Sequence, residues 1–211
     1  MFASLTGLAA RSAWIVTIAC ALSGFANRTE AQAAEIISSY TSTAETACKA
    51  AGGKGDPDDG FVHVCPGIGN LIVLNSEGDL RETVSVGRTR AAAAKEPAAQ
   101  HWFGPFSSTT NTIEWRHPKG GAPFAIIQRC HLADANDPDK DGRPRTKQML
   151  VITRLPPGAV CHVAYVDVKA NADANELARR AANDARAFDC AKDNIRIEGT
   201  SGRAVELALS R

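Results

Sequence analysis

Short apolar segments with an alternating pattern recur along this 211-residue chain, and turn-forming residues separate them. Successive side chains of a β-strand point to opposite faces, so a strand with one buried face alternates apolar and polar residues. Seven segments fit this pattern: 61–65, 70–75, 80–86, 112–116, 124–130, 148–155 and 160–166. Most turns between them are short, which is typical of antiparallel hairpins. The pattern predicts two antiparallel meanders.

One amphipathic helix follows the last strand. Its apolar stripe recurs at helical spacing and consists of Ala174, Leu177, Ala178, Ala181, Ala185 and Phe188. Asp173 precedes the stripe and Glu176 follows three residues later, which is the spacing of a capping box. Because strands and helices do not alternate, we predict an α+β fold with about seven strands and one C-terminal helix packed on the sheet. Beyond Lys192 we expect a weakly structured tail or a short edge strand.

Residues 1–33 have the organisation of a secretory signal peptide. Arg11 precedes an apolar run, 13–22, that is too short to span a bilayer. Small residues fit a cleavage site after Ala26 or after Ala33, and we favour Ala33 because few residues then precede the first strand. An uncleaved anchor and a lipid attached to Cys20 are the alternatives. We expect one globular domain over 34–211, periplasmic or secreted, without a stable membrane span after processing.

The charge balance argues against a polyanionic partner. The formal net charge is +1, and the chain without residues 1–33 carries equal numbers of basic and acidic side chains. A protein with this balance has no broad positive field to attract nucleic acid. We therefore expect no nucleic-acid partner; an envelope or extracellular protein or a glycan remains open.

Five cysteines follow the predicted signal peptide, and an exported chain meets an oxidising compartment where disulfides form. Two bridges and one free thiol allow 15 arrangements of Cys48, Cys65, Cys130, Cys161 and Cys190. Cys48 and Cys65 flank a polar Gly/Asp loop, so a bridge there closes a hairpin. Cys161 begins a strand and Cys190 follows the helix, so a bridge there fastens the helix to the sheet. This geometry favours Cys130 as the free thiol.

An acidic segment contains the first half of a calcium-binding loop. Carboxylates at alternate positions, followed by a glycine, can converge on one hard cation. These positions are Asp137, Asp139, Asp141 and Gly142. The twelfth position is Gln148, where a bidentate carboxylate is needed, and basic residues stand at 143, 145 and 147. We interpret the segment as a hairpin tip and only a weak calcium candidate.

Hydrolase signatures are absent from the sequence. It contains no G-x-S-x-G, H-E-x-x-H or S-x-x-K string, and we predict neither a catalytic residue nor a cofactor. Cys130 is a conceivable nucleophile, but the adjacent His131 would point to the opposite face of a strand. Trp102, Phe103 and Phe106 form an aromatic loop that is either a ligand patch or a cover for the core.

Six strings between about residues 40 and 190 combine a distinctive order and spacing. They are Tyr40-Thr41-Ser42, Cys65-Pro66-Gly67, Glu77-Gly78-Asp79-Leu80-Arg81, Ile113-Glu114-Trp115-Arg116, Cys161-His162-Val163-Ala164-Tyr165-Val166-Asp167 and Asn171-Ala172-Asp173-Ala174-Asn175. Together they resemble a family of exported bacterial proteins of unknown function. The resemblance implies that Cys48, Cys65, Cys161 and Cys190 are the framework cysteines. Cys130 and the acidic loop at 134–143 lie outside its pattern.

Three functions are compatible with these residues. We favour a non-catalytic binding or inhibitor-like module, since a small disulfide-linked antiparallel sheet with one helix is similar in size and architecture to bacterial lysozyme inhibitors. A small envelope enzyme using Cys130 or a histidine–carboxylate pair is the first alternative. A calcium-stabilised envelope protein is the second.

Overall fold

The computed structural model describes residues 34–52 and 60–210, so the predicted signal peptide lies outside the described residues. The strands are β1 Ile36–Ser42, β2 Lys49–Ala50, β3 Phe61–Pro66, β4 Ile72–Gly78, β5 Arg81–Gly87, β6 Ser107–Pro118, β7 Ala125–Pro138, β8 Pro144–Arg154, β9 His162–Asp167 and β10 Arg196–Ile197. The helices are α1 Arg90–Ala93, α2 Ala174–Asn183 and α3 Arg203–Leu209. The part that the structure describes is therefore an α+β domain.

All ten described strands belong to one sheet. Their order is β10-β9-β8-β7-β6-β5-β4-β3-β2, and β1 pairs with β6 off this path. The pairs are antiparallel except for short parallel contacts between β5 and β6 and between β9 and β10. Apart from β1, neighbours in the sheet are neighbours in the chain, which is the meander order that the short turns predicted.

The expected number of about seven strands was too low. One missed strand, β2, has only two residues and carries no readable alternation, whereas β10, also of two residues, is a short edge strand of the kind expected beyond Lys192. The other missed strand, β1, is rich in Ser and Thr, and its register with β6 is continuous from Ile36↔Pro118 to Ser42↔Thr112. Its pairing depends on backbone bonds and polar side chains, which an apolar pattern does not reveal.

Helix α2 covers one face of the sheet. Its buried alanines, Ala178 and Ala181 among them, pack with Ile127 of β7 and with Leu150 and Ile152 of β8. Small side chains let the helix lie close to the strands. The helix ends at Asn183 rather than continuing to residue 188, and the side chain of its N-cap, at position 173, makes no capping bond. The predicted capping box does not form.

Two separate apolar clusters pack on the opposite face of the sheet. The first meander packs Val73 and Val86 against Trp115 of β6, and α3 packs Val205 against Met149 of β8. The expectation of one helix and a weakly structured tail was wrong here, because residues 203–209 form α3 with four buried side chains. The alternation at 205, 207 and 209 suggested a strand, but buried Ala204 and Ala208 complete a helical stripe.

Two disulfides fasten the domain, and they join the pairs that the sequence geometry favoured. Cys48 is bonded to Cys65 of β3, and Cys161, which precedes β9, is bonded to Cys190 beyond α2. Cys130 on β7 is a buried free thiol. In the described part of the chain, no helix is both long enough and apolar enough to span a membrane.

Candidate functional site

A polar cluster lies in the interior of the domain, next to the two apolar clusters that pack on this face of the sheet. The Tyr165 hydroxyl is 3.0 Å from His162 Nδ1 and 3.0 Å from His101 Nε2, so one phenol links the two imidazoles. Burial, together with the neighbouring His101, lowers the pKa of His162 to about 3. His162 is therefore neutral at physiological pH, and its hydrogen bond serves the packing of the core.

Cys130 faces the same interior. Its side chain is 2% exposed, and it lines a cavity of about 20 Å³ together with His101, His162 and Gln128. Burial and the negative charge of Glu82 raise the pKa of the Cys130 thiol to about 12. A nucleophilic cysteine needs a thiolate and space for substrate, and this cavity holds about one water molecule. The Cys130 thiol therefore lies near two histidines, but it is not ionised and has no space beside it for a substrate.

The three aspartates of the acidic segment do not converge on one point. Asp137 lies on β7, where it pairs with Lys147 and has Arg145 Nε at 3.5 Å from its Oδ1. Asp139 Oδ1 accepts the backbone N–H groups of Asp141 at 2.8 Å and of Arg143 at 3.0 Å. These carboxylates stabilise a tight hairpin end. No group of three or more potential metal ligands occurs among residues 34–52 and 60–210.

A recess of about 730 Å³ lies between β8, the segment after β9 and the start of α3. Its basic lining residues are Arg145, Lys147, Lys169 and Arg203. Arg203 donates from Nε and Nη2 to the buried Asp134 carboxylate, each at 2.8 Å, and lowers the pKa of Asp134 to about 2. Asp167 accepts the backbone N–H groups of Ala170 and Ala204 at 2.8 Å. The charged groups of Arg203 and Asp167 are therefore already engaged by other groups of the domain.

The turn between β4 and β5 has an unusual backbone. Asp79 and Leu80 both have positive φ values, 49° and 59°, a conformation that is common for Gly or Asn and costly for a side chain like that of leucine. Neighbouring groups hold the turn: Leu80 N–H donates to Glu77 Oε1 at 2.7 Å, and Ser107 N–H donates to the Leu80 carbonyl at 2.9 Å. The Leu80 side chain is nevertheless 60% exposed.

Arg81, the next residue, clamps the aromatic loop against this turn. Its Nε donates to the Phe103 carbonyl at 3.1 Å and its Nη2 to the Gly104 carbonyl at 2.9 Å. Its Nη1 donates to the Asp79 carbonyl at 2.8 Å, and the guanidinium lies 5.1 Å from the centre of the Phe106 ring. The Arg81 side chain thus connects the β4–β5 turn to the aromatic loop.

Leu80, Trp102 and Phe106 form what we call the turn patch. Trp102 is 46% exposed and Phe106 is 47% exposed, and the Trp102 ring lies so close to Gly78 that a Cβ there would be 2.9 Å from it. These are three of the five large apolar side chains that are exposed in the described part of the chain. The aromatic loop is thus divided, because Phe103 is buried and packs with the core.

A second recess, of about 320 Å³, adjoins the turn patch. Leu80, Phe106 and Phe61 line it together with Glu77 and Glu82. The aromatic loop was predicted from the sequence as a candidate site, whereas Leu80, Glu77 and Glu82 were not. The available signal was the bulky apolar residue in a two-residue turn, where glycine or asparagine is usual.

The chain matches no protein-family model, no curated protein and no solved structure.

Proposed function

We propose that the chain is an exported, non-catalytic binding module that acts in the periplasm or outside the cell, as the resemblance to an exported family implies. The observation that carries this proposal is the turn patch. Leu80, Trp102 and Phe106 are exposed on a turn and a loop that hydrogen bonds of Glu77 and Arg81 hold in place. Such patches mark interaction sites, and a surface held in its bound shape loses little entropy on binding.

The interior cluster favours binding over catalysis. The enzyme alternative needs Cys130 as a thiolate or a histidine that exchanges protons with a substrate. Cys130 is a protonated thiol in a cavity without room for a substrate, and His162 is buried and neutral. The calcium alternative is weakened because Asp137 and Asp139 are occupied by a lysine and by backbone groups.

Export is supported by two independent features. The first is the signal-peptide organisation of residues 1–33. The second is the pair of disulfides, which form and persist in oxidising compartments. The partner in this proposal is an envelope or extracellular protein or a glycan.

Affinity capture tests the proposed function. Immobilised protein from Ala34 onward is incubated with envelope extract, and bound proteins and glycans are identified by mass spectrometry. Trp102→Ser is the test variant, and Lys95→Glu, an exposed change on another segment, is the matched control. We expect a partner retained by the wild type and by Lys95→Glu but lost with Trp102→Ser. Absence of any saturable partner contradicts a binding function.

A further inference from the structure

We propose that the turn patch docks onto a partner protein that places a lysine or arginine side chain in the adjoining recess. This inference rests on the proposed binding function and names the chemistry of the partner. Leu80 and Phe106 supply apolar contact, while Glu77 and Glu82 supply negative charge at the same place.

The two glutamates stand directly opposite each other. Glu77 of β4 and Glu82 of β5 are cross-strand partners in the sheet register. Like charges in this position repel each other and destabilise the pair of strands. A cation placed between the carboxylates relieves this repulsion and gains attraction to both.

Neutral donors orient the two carboxylates without cancelling their charge. Leu80 N–H donates to Glu77 Oε1 at 2.7 Å, and Glu82 Oε2 accepts Thr109 N–H at 2.9 Å and the Thr109 hydroxyl at 2.7 Å. Among residues 34–52 and 60–210, the recess is lined by neither lysine nor arginine, and the one basic side chain in its described lining is the imidazole of His131. The nearby Arg81 has its guanidinium engaged with Asp79 and with the loop carbonyls of residues 103 and 104. In the described part of the chain, neither glutamate is therefore paired with a lysine or an arginine.

The apolar walls select a long basic side chain over a bare cation. Phe61, Leu80 and Phe106 line the recess beside the carboxylates. Lysine and arginine bury their aliphatic stems on apolar surfaces while the charged end reaches a polar group. Tryptophan and arginine also dominate the centres of protein interfaces. A basic side chain of a partner protein gains charge attraction as well as apolar contact, whereas a neutral glycan can stack on the aromatic faces and donate hydroxyl hydrogen bonds but gains no charge attraction.

Peptide selection tests the proposal with defined probes. A random peptide library displayed on phage is selected on the disulfide-bonded protein from Ala34 onward, and the dissociation constants of synthetic peptides are measured by calorimetry. Glu77→Gln/Glu82→Gln is the test variant, because glutamine keeps an oxygen acceptor for Leu80 and Thr109 and removes only charge. Glu45→Gln, an exposed change elsewhere, is the matched control.

We expect the selected peptides to share one lysine or arginine next to apolar residues. The double variant should weaken their binding by about tenfold or more, as loss of close charge pairs does at interfaces, and Glu45→Gln should leave it unchanged. Melting temperatures equal to or above that of the wild type will show that the double variant is folded, since it relieves repulsion. Replacing the basic residue of the peptide by norleucine should cause a similar loss.

Several results would overturn this inference. They are selected peptides without a common basic residue, equal binding to the double variant, binding of uncharged oligosaccharides that needs the same residues, and self-association that Leu80→Gly abolishes. If the partner from envelope capture binds the double variant as well as it binds the wild type, the binding function stands and the basic side chain is wrong. If capture finds no saturable partner, the binding function itself fails.

Discussion

Replacing Leu80 by glycine should give a more stable protein than replacing it by alanine. The reason is the positive φ of 59° at this position. Any residue with a Cβ is strained in that region of the backbone, whereas glycine adopts it freely. Both variants lose the Leu80 side chain beyond Cβ, so the loss of its partly exposed apolar contacts nearly cancels in the comparison.

The magnitude follows from two opposing terms. Left-handed backbone costs an L-residue about 1–2 kcal/mol. Glycine loses more conformational freedom on folding than alanine does, which costs about 0.5–1 kcal/mol. The difference between the middle values, about 1.5 and about 0.75 kcal/mol, favours Leu80→Gly over Leu80→Ala by about 0.75 kcal/mol. With a urea slope of about 2 kcal/mol/M, the unfolding midpoint of the glycine variant lies about 0.4 M higher.

Urea unfolding followed by tryptophan fluorescence measures the two midpoints. Arg180, an exposed residue of α2, is the control position, because there the order should reverse and alanine should exceed glycine by about 1 kcal/mol. An alanine variant at position 80 that equals or exceeds the glycine variant in stability would refute the strain argument, provided that the control pair shows the expected order.

Three further predictions concern the interior and the disulfides. Cys130 should resist iodoacetamide in the folded protein and react after urea unfolding, because burial raises its pKa to about 12; rapid native labelling would contradict its burial. The lowered pKa of His162 means that its contribution to stability is present above its ordinary value of 6.5 and is lost as the pH falls towards about 3. His162→Gln should therefore flatten the pH dependence of the melting temperature in that window, and an unchanged slope would count against the assignment. Removing the Cys161–Cys190 bridge, whose cysteines are 29 residues apart, by a double Ser substitution should lower the free energy of unfolding by about 3.5 kcal/mol; a loss below about 1 kcal/mol in urea unfolding would show that the unfolded chain is already restricted.

The sequence predicted the elements whose stability depends on apolar burial. Strands β7, β8 and β9 carry the longest apolar runs and are consecutive strands of the sheet, with α2 packed on them. Burial of alternate apolar residues drives such strands, so the pattern and the structure have the same cause.

Elements that depend on polar contacts were missed. The Ser38 hydroxyl of β1 donates to Glu114 Oε1 at 2.5 Å, and Ser39 Oγ lies 2.8 Å from His117 Nε2. Strands β7 and β8 also extend into the segment predicted as an acidic loop, as far as Pro138 and from Pro144. Backbone pairing continues in this segment without apolar side chains. A hydrophobic pattern in the sequence therefore does not predict it.

Only part of the candidate site could be predicted from the sequence, for a related reason. An exposed aromatic and a buried aromatic look alike in a sequence, and only the tertiary contacts of Phe103 and Trp102 separate them. The opposition of Glu77 and Glu82 depends on the hairpin register. The turn that sets this register consists of Asp79 and Leu80, and leucine is not a residue by which such turns are recognised.

Cavity size alone would point to the wrong surface. The 730 Å³ recess is more than twice the volume of the one beside the turn patch, yet its Arg203 is bonded to the buried Asp134 and its Asp137 to Lys147. A ligand there has to replace ion pairs that already stabilise the fold, and it gains only the difference. Beside the turn patch, Glu77 and Glu82 repel each other and are held by neutral donors, so a basic side chain gains attraction without breaking an existing ion pair among the described residues. For a basic side chain, the smaller recess therefore carries no cost of breaking an ion pair between described residues.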